Sequence, residues 1–246
     1  MNTDGRPTDL EANAVALADD LRSVTAGIPN GAALAFSGGL DSSILLHLSP
    51  GSTHPYVVGL HESRDILSAI ESASWLHKDV TVLEVTEDQI IDAALNVMKI
   101  DPGIKIMDLG FETVLYLTLS SISEDIMVTG QGADEIFYGY HRFLSGKEGT
   151  NTSSMQKLLN ITLPREKRMA ESIGKQILTP YLEPAIVRYA SMGPSSHIAN
   201  GKNKIILRAA GAKLGVPGLI CQREKKAAQY GSGVDRVLRK NFELLF

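Results

Sequence analysis

Two features of the 246-residue chain predict an α/β protein, a doubly wound parallel sheet with a helical C-terminal part. Short apolar runs near residues 32, 56, 80 and 126 alternate with helix-length segments, the pattern of βα units whose strands pair in parallel. Two of these runs, Ala32–Phe36 and Ile126–Thr129, deliver the chain straight into glycine-bearing turns. In open α/β sheets such turns gather beyond the carboxyl ends of the strands, however far apart they lie in sequence.

Taken in order, Thr8 and Glu11 have the spacing of a capping box that opens a helix to about Val24. The strand near residue 32 enters the turn Ser37-Gly38-Gly39-Leu40-Asp41-Ser42-Ser43, and Ser42 and Ser43 open a helix over Ile44–Leu48. Val57-Val58-Gly59-Leu60 forms the next strand, and a third lies near residue 80. Thr86 and Gln89 make a second capping box for a helix toward Met98. Asp101-Pro102-Gly103 is a turn, and an apolar helix follows from about Leu109 to Leu119. Asp108 and Glu112 beside it have a helix cap and an exposed face as their expected roles. After the strand near residue 126 and the motif ending at Tyr140, Ser145 to Ser154 is a polar connection. The remainder of the chain reads as short helices broken by Pro164, Pro180, Pro184, Pro194 and Pro217. The expected division is a core over residues 1–143 and a helical part over 144–246 that completes the functional site.

Composition narrows the function classes. The chain is 43% apolar and 21% charged, the balance of an ordinary globular protein with a sizeable core. A net charge of −4 argues against nonspecific nucleic-acid binding. Cys221 is the single cysteine, so no internal disulfide forms. No run approaches the roughly 20 apolar residues of a membrane span, and Asp4, Asp9 and Glu11 sit where a secretion signal would be apolar. The expectation is a cytoplasmic chain without membrane contact. The six histidines lack paired spacing, which argues against a zinc site.

The first glycine turn carries the chemistry. Gly38 and Gly39 lack Cβ atoms, so backbone N–H groups there can close on phosphate oxygens, and the following helix N-terminus favours the same anion. Ser37, Ser42 and Ser43 add hydroxyls. Asp41 repels a bare phosphate but suits Mg2+ carried in with a nucleotide. No Walker-type G-x-x-x-x-G-K-[ST] is present, so no lysine is placed to grip a γ-phosphate. The turn resembles the SGGxDS signature of PP-loop ATP pyrophosphatases, which cut ATP between its α and β phosphates and activate a substrate as its adenylate.

The second turn, Gly130-Gln131-Gly132-Ala133-Asp134-Glu135-Ile136-Phe137-Tyr138-Gly139-Tyr140, is similar to the SGEGADELFGGY segment of asparagine synthetases. Thr179-Pro180-Tyr181-Leu182-Glu183 resembles that family's V-P-F-L-D, Lys204-Ile205-Ile206-Leu207-Arg208 its K-x-x-L-R, and Arg223-Glu224-Lys225-Lys226 its R-x-K. The likeness covers about residues 30 to 235 and keeps its order. It implies ATP and Mg2+, with Asp41 and Asp134 sharing the metal, and Ser37, Gly38, Gly39, Asp41, Ser42, Ser43, Val58, Thr129 and Gly130 around the nucleotide. It also implies chemistry at Gln131, Asp134 and Lys225: adenylation of aspartate with release of pyrophosphate, then transfer of the acyl group to ammonia with release of AMP. In relatives the connection between the third and fourth strands lies beside the acceptor substrate, which makes Asp108 and Glu112 candidates for substrate contact.

Three departures qualify that expectation. The family's glutaminase domain, with its first-residue cysteine, has no counterpart here, so ammonia is expected from solution or from a separate glutaminase partner. Gln131 stands where many relatives have a glutamate that assists ammonia attack, and an amide cannot act as a base. Leu178 stands where relatives often have an arginine, leaving Arg142, Arg165, Arg168 and Arg188 as candidates to bind a substrate carboxylate. Other readings stay open: a PP-loop enzyme acting on another carboxylate or on a tRNA base, or a nucleotide-binding regulatory module. The residues do not specify the oligomeric state, and a homodimer remains open.

Overall fold

The computed structural model describes residues 9–144, 151–223, 231–241 and 243. Five strands form one sheet: β1 (Ala33–Ala35), β2 (His54–Gly59), β3 (Thr81–Glu84), β4 (Ile126–Val128) and β5 (Gln176–Leu178). Their order is β3-β2-β1-β4-β5, and every neighbouring pair is parallel. β1 is central, with Leu34 opposite Pro55 on one side and Val128 on the other. The strand order therefore reverses between β1 and β4, and the crevice that this opens at their carboxyl ends lies where both glycine turns begin.

Both faces of the sheet are covered, as near-continuous apolar strands require. One core gathers Leu17 and Leu21 from α1 (Asp9–Thr25), Ile44 and Leu45 from α2 (Leu40–Leu48), and Ile66 and Ala69 from α3 (Arg64–Trp75). Ile206, Leu207 and Ala210 of α11 (Ile205–Leu214) complete it, so residues from both ends of the chain share that core. The opposite core holds Ile90, Ala94 and Val97 of α4 (Glu87–Ile100), Leu109 and Leu117 of α5 (Ile106–Ser121), Met169 and Ala170 of α9 (Leu163–Ser172), and Val237 of α13 (Val234–Lys240). The expected doubly wound α/β class is the observed one.

Several local expectations are met and others corrected. Thr86 caps α4 with the full reciprocal box, its Oγ1 accepting from the Gln89 N–H at 3.3 Å while Gln89 Oε1 accepts from the Thr86 N–H at 2.9 Å. Thr8 lies outside the described residues. α2 starts at Leu40 rather than Ile44, so Asp41, Ser42 and Ser43 belong to its first turn, with Gly39 as the extended residue before it. The segment after residue 144 is not wholly helical. Its three-residue β5 joins the sheet beside β4, and Leu178 C=O accepts from the Thr129 N–H at 2.9 Å. Asn151 to Ser154, read as part of a polar connection, begin the helix α8 (Asn151–Lys157). A π-helical turn over Leu158–Thr162 then leads into α9.

Candidate functional site

The first turn is held by packing from three directions. Gly38 has φ +70°, and a Cβ there would lie 2.4 Å from Ser68 C=O on α3, so glycine is needed for helix-to-loop approach as much as for any ligand. Ser72 Oγ donates to Gly38 C=O at 2.8 Å. Arg223 Nη1 reaches Ser68 C=O at 3.1 Å and Ser72 Oγ at 2.8 Å, and its guanidinium lies 4.9 Å from the Trp75 ring centre. From the opposite side the buried Tyr181 hydroxyl donates to Asp41 C=O at 3.0 Å. Leu182 fills the space that a Cβ on Gly132 would enter, at 2.4 Å. The segment around Pro180 thus braces both glycine turns at once.

A cavity of about 1000 Å³ opens over the β1–β4 crevice. Among its walls are Ser37, Asp41, Ser42, Val58, Thr129, Gly130, Gln131 and Asp134, from three segments of the chain. Gly38, Gly39 and Ser43 support the turn without lining the cavity. Ser43 Oγ and Thr129 Oγ1 are buried without a partner among the described residues. Lys225 lies outside the described residues.

The two aspartates meet at a lysine. Lys204 Nζ lies 2.6 Å from both Asp41 carboxylate oxygens and 2.7 Å from Asp134 Oδ1. Its side chain is 2% exposed, and burial pulls its ammonium below the ordinary lysine range, against the opposing pull of Asp41. Lys204 sits immediately before α11 with φ +56°, the left-handed region that an ordinary side chain adopts only when its surroundings hold it there. Asn203 Nδ2 donates to Gly139 C=O at 2.6 Å, and Arg208 Nε to Asn203 C=O at 2.8 Å, which fixes that turn. Gly139 is the companion requirement, because a Cβ there would stand 1.9 Å from Asp134 Oδ1 and 2.3 Å from Lys204 Cε.

The same geometry bears on Mg2+. Asp134 Oδ1 is buried against Lys204 while its side chain keeps 18% exposure, and Asp41 keeps 19%. Two carboxylates carry more charge than one ammonium neutralises, and both open onto the cavity. Among the described residues no three His, Cys, Asp or Glu side chains form a metal cluster. Such hard-oxygen donors fit a Mg2+ ion completed by ligand phosphates rather than a closed protein cage.

Deeper in the cavity the sequence reading needs correction. Glu112 is not on an exposed face: it is fully buried on α5, as are Arg165 and Glu166 on α9. Arg165 Nε donates to Asp101 Oδ2 at 2.6 Å and Nη1 to Glu112 Oε1 at 3.0 Å. Gln131 Nε2 donates to Glu166 Oε1. Glu135 is buried and accepts from the Tyr140 hydroxyl, and burial raises its carboxyl above the usual range. Of the four candidate arginines Arg142 lines the cavity, held by Ser154 and lying 4.7 Å from the Tyr140 ring centre. Arg188 pairs with Asp20, Arg168 is exposed, and Leu178 packs against the apolar core.

Lys204 and Glu166 are the residues whose part was missed. A usable signal exists for α9, where Arg165 and Glu166 stand four residues before the buried Met169 and Ala170 and so share their helix face. For Lys204 the motif was visible, but its aim depends on one left-handed residue.

The parallel sheet, the glycine turn opening α2 and the carboxylates beyond β1 and β4 define an α/β protein of the PP-loop type. The chain matches the family described as Asparagine synthase over residues 22–156 and 151–245, and it belongs to that family. A Methanocaldococcus jannaschii protein bearing a glutamine-hydrolysing asparagine synthetase name is 26% identical over 250 residues, 83% of this chain and 46% of that protein. Escherichia coli asparagine synthetase B is 26% identical over 257 residues, 92% of this chain and 45% of that enzyme. The chain thus spans about half the length of these relatives. Bovine asparagine synthetase domain-containing protein 1 is 32% identical over 133 residues, 48% of this chain and 21% of that protein. Among solved structures, the NMN synthetase of Francisella tularensis superposes with a TM-score of 0.45 at 12% identity, covering 91% of this chain and 78% of that one. No described helix is long and apolar enough to cross a membrane.

Proposed function

We propose that this chain is an ATP-dependent amide-forming ligase that adenylates a carboxylate, the side chain of aspartate, and transfers the acyl group to ammonia to give asparagine, AMP and pyrophosphate. The observation that carries the reading is the meeting of Asp41, Asp134 and Lys204 over the glycine turn. In this reading Val58 and the Thr129–Gly130 backbone border the nucleoside. Ser37, Ser42 and the α2 N-terminus receive phosphate oxygens. Asp41 and Asp134 would hold Mg2+, which would neutralise charge on the pyrophosphate. Lys204 supplies a fixed ammonium where negative charge builds on the α-phosphate and on the tetrahedral centre, worth roughly 100- to 1000-fold in rate for a preorganised donor. Lys225 would add a second cation from the segment after Arg223. Ammonia comes from solution or from a separate glutaminase partner, in the cytoplasm.

A second reading changes the acid and keeps the chemistry. Leu178 turns into the core where relatives often carry an arginine, and of the four candidate arginines Arg142 is the one that lines the cavity. An acid other than aspartate would use that difference. The test is product analysis with Mg·ATP, ammonium and a panel of acids headed by aspartate. AMP and asparagine forming in equal amounts support the first reading. AMP driven by another acid selects the second, and no acid-dependent AMP defeats both.

A further inference from the structure

Beyond Gln131 the cavity ends in a charged cluster that adenylation does not use. Three carboxyl groups, Asp101, Glu112 and Glu166, surround the single guanidinium of Arg165. Glu112 is 0% exposed, Glu166 1% and Arg165 3%. Arg165 donates through Nε to Asp101 and through Nη1 to Glu112 Oε1. Glu166 Oε1 accepts from Gln131 Nε2. That leaves Glu112 Oε2 and Glu166 Oε2, both buried and without a hydrogen-bond partner among the described residues, on two residues that line the cavity.

An acceptor buried without a donor costs about 1–3 kcal/mol, and a buried carboxylate without a counter-charge costs more. Burial accordingly pushes the Glu112 carboxyl up to about 7, opposed by Arg165, and pushes Glu166 well above the usual carboxylate range, helped by the charge of Glu112. A small cation bearing several N–H donors would satisfy both orphan oxygens and balance the excess charge. Sodium or potassium would balance charge but donate nothing. The position fits a reacting group, because Gln131 sits in the turn after β4, three residues before Asp134. Glu166 reaches that turn from α9, through the hydrogen bond that it accepts from Gln131.

We propose that Glu112 and Glu166 seat the nitrogen nucleophile as a cation, either ammonium or the ammonium end of a primary amine, and that Glu166 is the base that activates it. The proposal deepens the ligase reading and rests on it for the electrophile. Glu166 takes one proton from the ammonium nitrogen, which frees its lone pair. The nitrogen attacks the acyl carbon of the adenylate and the C–N bond forms. The C–O bond to AMP then breaks, its electron pair leaving on the phosphate oxygen, which accepts the second proton lost by nitrogen. Gln131 is a positioning residue: its amide N–H group holds Glu166, and its carbonyl oxygen is an acceptor for a further N–H of the nucleophile.

The test has two arms, each using the full chain. In the first, the thermal midpoint is measured in ammonium chloride, methylammonium chloride and choline chloride at equal ionic strength. Ammonium at roughly ten times its Kd should raise the wild-type midpoint by about 3–5 °C over choline, and Glu166→Gln should abolish the difference. A larger effect of methylammonium identifies a primary amine as the donor. In the second, with Mg·ATP and aspartate, Glu166→Gln should lower ammonium-dependent amide formation at least about 100-fold more than it lowers pyrophosphate exchange into ATP. Should Glu166→Gln fail to fold, Glu112→Gln replaces it with the same expectation for the midpoints. The proposal is overturned by equal midpoints in ammonium and choline, by a variant that keeps the ammonium shift, or by amide formation that falls only as far as exchange. Absence of exchange in the wild type counts against adenylation of aspartate alone, and the midpoints then decide the seat by themselves.

Discussion

Replacing Gly139 by alanine probes the meeting of Asp134 and Lys204 without touching either. The added methyl would stand 1.9 Å from Asp134 Oδ1 and 2.3 Å from Lys204 Cε, both far inside contact distance. Gly139 does not have a positive φ, so alanine meets no backbone penalty there, and the cost is overlap. The loop cannot retreat, because the Gly139 N–H donates to Asp134 C=O at 2.9 Å and its C=O accepts from Asn203 at 2.6 Å. Lys204, 2% exposed, has no room either, so Asp134 must swing toward the cavity and leave the ammonium short of one partner. Overpacking costs about 1–3 kcal/mol, and breaking a fully buried pair about 3–5. Because Asp134 keeps 18% exposure and can rehydrate, the lower figures apply. A loss of about 2–3 kcal/mol corresponds to a fall in Tm of roughly 4–12 °C for a chain of this size. Displacing the carboxylate and ammonium should also slow acid-dependent AMP formation about 100-fold or more. Gly51→Ala, where nothing lies within 4 Å of the new methyl, is the control and should change stability by no more than about 0.5 kcal/mol. A Gly139→Ala protein with wild-type Tm and rate would refute the steric account of this site.

Three further outcomes are expected. Asp65 is 8% exposed, and burial raises its carboxyl to about 7, so it gains a proton on folding; that contribution to stability is complete below its unfolded pKa and is lost as pH rises through about 7. Asp65→Asn should therefore gain Tm on the wild type steadily from pH 5 to pH 8, and parallel curves would show that the group is not held neutral. Tyr181→Phe removes the hydroxyl that holds Asp41 C=O at 3.0 Å, worth about 1 kcal/mol, and steady-state kinetics should show KM for ATP rising about fivefold. Thr86→Ala breaks the capping box of α4, far from the cavity, and should cost about 1 kcal/mol in urea unfolding while AMP formation is unchanged.

The apolar runs before Ser37 and Gly130 announced parallel strands that end in turns, since only a strand buried on both faces has reason to be apolar throughout. The Thr86–Gln89 box announced a helix because both of its hydrogen bonds are local. β5 was not legible: three residues between Lys175 and Thr179 carry too little pattern, and their strand character comes from the free edge of β4. The start of α2 was misplaced by four residues because Leu40 and Asp41 are ordinary loop residues until the turn before them is packed against α3. Glu112 was misread for a similar reason. A glutamate on a helix is normally solvated, and only the arrival of Arg165 from a segment 53 residues away makes its burial tolerable.

By itself the sequence determined the α/β class, the strands bearing the two glycine turns, and the presence of Asp41 and Asp134 at strand ends, because these follow from local periodicity and from backbone space that glycine alone provides. The tertiary structure decided what those aspartates face. It set Lys204 between them, brought Glu166 of α9 to the Gln131 side chain, and turned Leu178 into the core. Each of these depends on contacts between segments 35 to 163 residues apart, whose pairing is fixed by the packing of two cores on one sheet and leaves no periodic trace along the chain.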